Sequence, residues 1–303
     1  TIMGGFAGDA LTSGTNNVAI GRSALTTEDA HGYTVAVGTY ALLNQNAGQD
    51  AYNVAVGYAA GENITTGAFN TLIGGSVGDA LTTGNTNTAV GYRALSAETL
   101  GDANVAIGSN ALKSQNNTSD TDVYNVAIGH NAGINVTTGA NNTLVGGQAG
   151  DAITTASNNS IYGSGAGGSI TTAPHNVAIG YAALHSATDQ GYNVAIGSTA
   201  LYSTVNGGKA VAVGYKALNA MNPSSDTDTY NIAIGYEAGK AVTTGIRNVI
   251  IGGLAAQNLA VGQKNIAIGF NALGSETNHS LNVAIGDHAL ATQQAGADAY
   301  NVA

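Results

Sequence analysis

The chain of 303 residues has no cysteine, no tryptophan, 2 prolines and 3 phenylalanines, and only 9% of it is charged. Without cysteine there is no disulfide framework and no zinc–thiolate site. The compartment stays open, because fibres assembled outside cells often do without thiols. Lys and Arg together number 8 against 18 acids, a net charge of −10. That balance argues against nucleic acid, or an anionic membrane, bound through a basic surface. No apolar run approaches 18 residues, so nothing in the sequence reads as a membrane-inserted helix.

What the chain does have is glycine, 44 residues of it, with 44% hydrophobic residues recurring in register. Unperiodic glycine-rich chains are disordered, but a periodic one can stack. The glycine that closes each "VAIG" falls at positions 4, 21, 38, 57, 74, 91, 108, 129, 146, 163, 180, 197, 214, 235, 252, 269 and 286. Thirteen of the sixteen intervals are 17 residues, and the others are 19 once and 21 twice. Insertions therefore come in even numbers, after which the register resumes. The expected fold is all-β, a parallel β-solenoid of about 17 coils, forming one continuous array over 1–303 and roughly 80 Å long at the strand spacing. A chain that starts and stops inside a repeat reads as a fragment of a longer fibre.

Numbered from the coil glycine, position −1 is Ile, Val or Met except at Tyr162, and position −3 is Val, Ile, Thr or Ser. Position −2 is Ala in twelve coils and Leu or Ile in five. This alternation reads as a strand covered on both faces, one lined by large aliphatics and one by alanine. The alanine face is expected to let companion chains approach closely, so chains should associate side by side along their length. Position −4 is Asn in fifteen of seventeen places, from Asn17 to Asn301. Stacking would make these a ladder in which each amide bonds to the next and to loop backbone.

Two exchanges of volume follow. Nine coils carry Leu at +4, such as Leu25, Leu42 and Leu95; the other eight carry Gly or Ala256 there and supply an aliphatic at +7, such as Ile64, Leu81 and Val136. Omitting a buried Leu costs about 2–5 kcal/mol unless another side chain refills the space. Where −2 is Leu or Ile (Ile2, Leu72, Leu144, Ile161, Ile250), position +1 is small (Gly5, Gly75, Gly147, Ser164, Gly253), which suggests compensation on one shared surface.

The segments "NVAIGRSAL", "NVAIGSNAL", "NVAIGYAAL" and "NIAIGFNAL" resemble the head repeats of YadA-like trimeric autotransporter adhesins and similar bacteriophage tail-fibre repeats. The resemblance spans the whole chain and implies a left-handed parallel β-roll, three copies of which pack about a common axis. The coils here are longer than in the adhesin heads, and no coiled-coil stalk or anchor barrel is seen. The resemblance leaves a cell surface and a virion both open.

Candidate chemistry is sparse. The long-coil loops "SDTDVYN" and "SDTDTYN" place Asp120 beside Asp122 and Asp226 beside Asp228, pairs that could offer hard oxygens to calcium, against a plain solvated loop. Paired threonines in "TTG" raise ice binding, but they belong only to the Gly-type coils, which are interrupted. The six histidines are read as exposed loop residues with no shared repeat position and no neighbouring acid, so no catalytic constellation is expected. Tyr52, Tyr124, Tyr192, Tyr230 and Tyr300 precede the ladder position and serve either to pack loops back or to touch a receptor. The functional expectation is a non-enzymatic, extracellular structural fibre, a homotrimer, presenting loops to a cell-surface receptor or glycan without a cofactor. A self-assembling filament without a receptor and an ice-binding solenoid are the alternatives.

Overall fold

The computed structural model describes residues 1–119, 121–294, 298 and 300–303. It comprises two compact units, Thr1–Thr155 and Ala156–Ala303. Every regular element among the described residues is a β-strand.

In the first unit, nine strands follow one another: Ile2–Met3, Val18–Ile20, Val35–Val37, Val54–Val56, Thr71–Ile73, Thr88–Val90, Val105–Ile107, Val126–Ile128 and Thr143–Val145. Each pairs in parallel with the next. In the second unit eight do the same, from Ser160–Tyr162 through Val177–Ile179, Val194–Ile196, Val211–Val213, Ile232–Ile234, Val249–Ile251 and Ile266–Ile268 to Val283–Ile285. Each unit is thus a parallel β-solenoid with one short strand of this sheet per coil. Insertions leave the register untouched: Val35 pairs with Val54, Val105 with Val126 and Val211 with Ile232. A slip by one residue would turn every side chain to the opposite face, so insertions must loop out between strands.

The coil glycine is required twice over. Its φ lies between +128° and +143°, a region only glycine occupies at ease. A Cβ on Gly57 would also stand 2.2 Å from the carbonyl oxygen of Gly74. Downstream, Leu25 and Leu42 at +4 adopt left-handed φ of 51° and 49°. For an L-residue this costs about 1–2 kcal/mol. The offset comes from bonds between coils, such as Leu25 N–H to Ala41 O at 3.0 Å and Leu42 N–H to Ala60 O at 3.0 Å.

The structure corrects the expected orientation of the strand. Alanine at −2 points inward: Ala19, Ala36, Ala55, Ala89, Ala106 and Ala127 have no exposure. The aliphatics at −3 and −1 point outward and are half-buried or exposed. A coil this narrow already holds the +4 and +7 side chains inside, and alanine is what fits opposite them. Alanine is therefore not the surface offered to companion chains.

The first volume exchange stands, since Leu42, Leu95 and Leu112 at +4, and Ile64, Leu81 and Val136 at +7, are all fully buried. The second has a different partner from the one expected. An inward Leu or Ile at −2 requires a small residue at +4, not at +1. A Cβ on Gly61 would sit 2.8 Å from Leu72 Cδ1 and 3.0 Å from Ile64 Cδ1, and one on Gly133 would sit 2.7 Å from Leu144 Cδ1. Position +1 lies outside, where a Cβ on Gly75 would meet nothing closer than the Tyr92 ring at 3.6 Å.

From Asn53 through Asn70 and Asn87 to Asn104 the asparagine ladder is unbroken and buried. Asn53 Oδ1 accepts the Asn70 N–H at 2.8 Å, Asn70 Oδ1 that of Asn87 at 2.9 Å, and Asn87 Oδ1 that of Asn104 at 3.0 Å. Each side-chain amide donates to a loop carbonyl, Asn53 to Gly67, Asn70 to Gly84 and Asn87 to Gly101, at 2.7, 2.9 and 3.0 Å. Backbone groups that a tight turn would orphan are satisfied by one repeated side chain.

Candidate functional surface

The outward side chains at −5, −3, −1 and +1 form four columns on each unit. The −1 column is aliphatic except at Tyr162, and the −3 column is Val or Ile in twelve coils and Thr or Ser in five. Ile73, Ile107 and Ile128 stand out in the first unit, and Ile179, Ile232 and Ile234 in the second, each between 37% and 40% exposed. On the +1 side the strip is edged by Tyr58 and Tyr92 in one unit and Tyr181, Tyr215, Tyr236 and Phe270 in the other, all exposed. The charged side chains in these columns are Arg22, Lys209, Arg247, Lys264 and Asp287. A sheet face with an aliphatic column and exposed rings beside it is suited to an apolar surface and ill suited to water.

At −5, rings on adjacent coils stack. Tyr33 and Tyr52 are 5.0 Å apart with planes inclined 18°, and Tyr52 and Phe69 are 5.6 Å apart at 6°. His175 stacks on Tyr192 at 4.9 Å, and the Lys209 ammonium lies 5.6 Å from the Tyr230 ring centre. Their faces are turned to one another along the stack, which leaves ring edges for contact.

Asp122 and Asp228 are both engaged. The Tyr124 hydroxyl donates to Asp122 at 2.6 Å, and this bond holds the phenol above its usual range. Lys209 and the Tyr230 hydroxyl donate to Asp228. The Lys209 hydrogen bond holds the Asp228 carboxyl below the ordinary carboxylate value, and the same bond raises Lys209. Asp226 is exposed, and Asp120 lies outside the described residues. The long-coil tyrosines 124 and 230 are thus tied to their own loops. Thr227–Asp228 also pairs in parallel with Gly207–Gly208, as Asp122 bridges Asp102. Among the described residues, three ligand-type side chains close enough for one ion occur at Glu28, Asp29 and His31, away from these loops. In the TTG segments the first hydroxyl is spent within the stack, as Thr65 donates to Thr82 O and Thr137 to Thr154 O.

The reading of the histidines needs correction at three places, one of them His288, whose Nδ1 lies 3.1 Å from Asp287 Oδ1. His31 and His279 share a repeat position, ten residues after Gly21 and Gly269, and each places Nδ1 against an acid, Glu28 at 3.3 Å and Glu276 at 2.8 Å. Those acids, with Glu98, are the residues that sequence reasoning passed over. All three lie at +7, an interior position, and have no exposure. Comparing +7 alone across the Leu-type coils would have found them.

No protein-family model and no curated protein sequence matches the chain. Among the described residues no helix is long and apolar enough to cross a membrane, and no pocket is detected.

Proposed function

We propose that this protein is a structural, non-enzymatic segment of an extracellular attachment fibre, on a cell surface or a virion. In this reading it assembles as a homotrimer and presents its long loops to a receptor or glycan. The observation that carries the proposal is the outward Val/Ile strip. Over the nine coils of the first unit, roughly 38 Å at about 4.8 Å spacing, position −1 is Met, Ile or Val throughout and position −3 is Val in five coils and Thr in four. Monomers rarely expose more than a few hundred contiguous apolar Å² without a partner. A second copy offers the same strip with the same period, so rows match without any new fit. The trimeric number follows the resemblance to adhesin and tail-fibre repeats, and the repeat supplies an additive shaft in which each coil is held by its neighbours.

The test is solution mass. The expected result is a trimer that Ile107→Lys with Ile128→Lys converts to monomer while the circular dichroism stays β-type. Wild-type monomer at micromolar concentration would refute self-association. Replacing loop residues 116–123 by Gly-Ser and measuring adhesion reads the receptor role separately, and unchanged adhesion would reject it.

A further inference from the structure

Glu98 is a buried carboxylate at the root of a long loop. It lies in the coil before the 21-residue coil of Gly108, and all its hydrogen-bond partners are donors. Oε1 accepts the backbone N–H of Thr99, Leu100 and Gly101 at 2.9, 3.2 and 2.9 Å, and that of Asn117 at 3.1 Å. Oε2 accepts Gln115 Nε2 at 2.8 Å and Asn117 Nδ2 at 2.9 Å. Gln115 Oε1 then accepts Asn125 Nδ2 of the ladder at 2.8 Å. The loop's first turn is thereby connected, through carboxylate and amide, to the buried asparagine column.

The same arrangement recurs ahead of the coil of Gly38. Glu28 Oε1 accepts the His31 N–H at 3.2 Å, and Oε2 accepts Gln45 Nε2 at 3.1 Å and the Ala47 N–H at 3.2 Å. Gln45 Oε1 accepts Asn53 Nδ2 at 2.9 Å. Glu276, ahead of the coil of Gly286, gathers the N–H groups of Thr277, Asn278 and His279 at 2.9, 3.1 and 3.1 Å. Gln293 occupies the matching position one coil on.

The fourth long coil, that of Gly214, supplies the independent observation. Thr204 stands where the glutamate would be and Met221 where the glutamine would be. Pro223 stands where Ala47 and Asn117 offer their N–H. Proline has no N–H. The carboxylate is missing only where the loop donor it would satisfy is missing too. Thr204 Oγ1 donates instead to Met221 O at 3.0 Å, and Met221 Sδ receives Asn231 Nδ2 at 3.6 Å.

We infer that Glu28 and Glu98 are anionic clamps that fix the roots of two long loops to the shaft, and that Thr204, Met221 and Pro223 form an uncharged version of the same clamp. At Glu98 both carboxylate oxygens face only donors, an arrangement that a neutral amide cannot reproduce, because its NH₂ would confront N–H groups. The clamps hold the loop stems in one geometry before any partner arrives, which lowers the ordering cost of a contact made by the loop tips.

Hydrogen exchange on the full chain tests this without receptor or adhesion, so its outcome is separate from that of the fibre reading. Glu98→Gln is expected to speed exchange about tenfold or more at Gly101, Asn117 and Val123. Val105 and Val126 of the shaft, and Thr227 and Thr229 of the fourth loop, should be unchanged. The triple variant Glu98→Thr, Gln115→Met, Asn117→Pro is expected to restore protection at Gly101 and Val123 to within about threefold. Glu28→Gln, read at His31 and Ala47, gives the same comparison at a second site should the Glu98 variant fail to fold. Unaltered exchange at the loop roots, an acceleration spread evenly over the shaft, or a triple variant as loose as Glu98→Gln would each overturn the inference.

Discussion

Replacing Asn87 by Ala isolates one rung of the ladder. Asn87 Oδ1 is the acceptor for the Asn104 N–H at 3.0 Å, and Asn87 Nδ2 the donor to Gly101 O at 3.0 Å. Asn87, Asn104 and Gly101 are all buried, so water cannot replace the lost amide without opening the coil. A buried group left without its partner costs about 1–3 kcal/mol, and two such groups cost about 2–6 kcal/mol. Exchange at the Asn104 amide should therefore accelerate by at least about thirtyfold, since each 1.4 kcal/mol is a factor of ten. Effects at coils several positions away should be small, because coils couple to nearest neighbours. Urea unfolding of the same variant should begin earlier. A change below about threefold at Asn104, with its amide still protected, would refute the claim that the ladder is what satisfies these turns.

Gly57→Ala and Gly75→Ala differ by one methyl each and should diverge: the first puts a Cβ 2.2 Å from Gly74 O at φ +140°, the second meets only the Tyr92 ring at 3.6 Å. Thermal unfolding should show a large loss for Gly57→Ala and almost none for Gly75→Ala, and equal losses would contradict the packing described. Asp79 is a further case, because burial pushes its carboxyl up, with Glu62 adding and a backbone hydrogen bond and Arg93 opposing, and its Oδ1 is buried without a hydrogen-bond partner. A raised carboxyl keeps its proton in the fold after the unfolded chain has lost it, so stability is fullest below the ordinary value of about 3.9 and falls as pH rises through the raised one. Asp79→Asn should melt higher than wild type at pH 7 and at the same temperature at pH 3; a lower melting point at pH 7 would reverse the assignment.

The sequence by itself determined the period, the parallel stacking, the tolerance of even-numbered insertions, the asparagine column at −4 and the exchange of Leu between +4 and +7. Each is a one-dimensional property: when identical segments lie on one another, a repeated residue becomes a column whatever the cross-section. The tertiary structure alone decided which way the columns face. Alternation says that Ala19 and Val18 point to opposite sides. Which side is inside depends on how much volume Leu25 or Ile64 already occupies across the coil, and that placed alanine within and the Val/Ile strip without. Only the folded coil could bring Glu98 to Asn117 and Gln115, because a carboxylate read along the chain looks like any solvated acid until the turn closes four N–H groups around it.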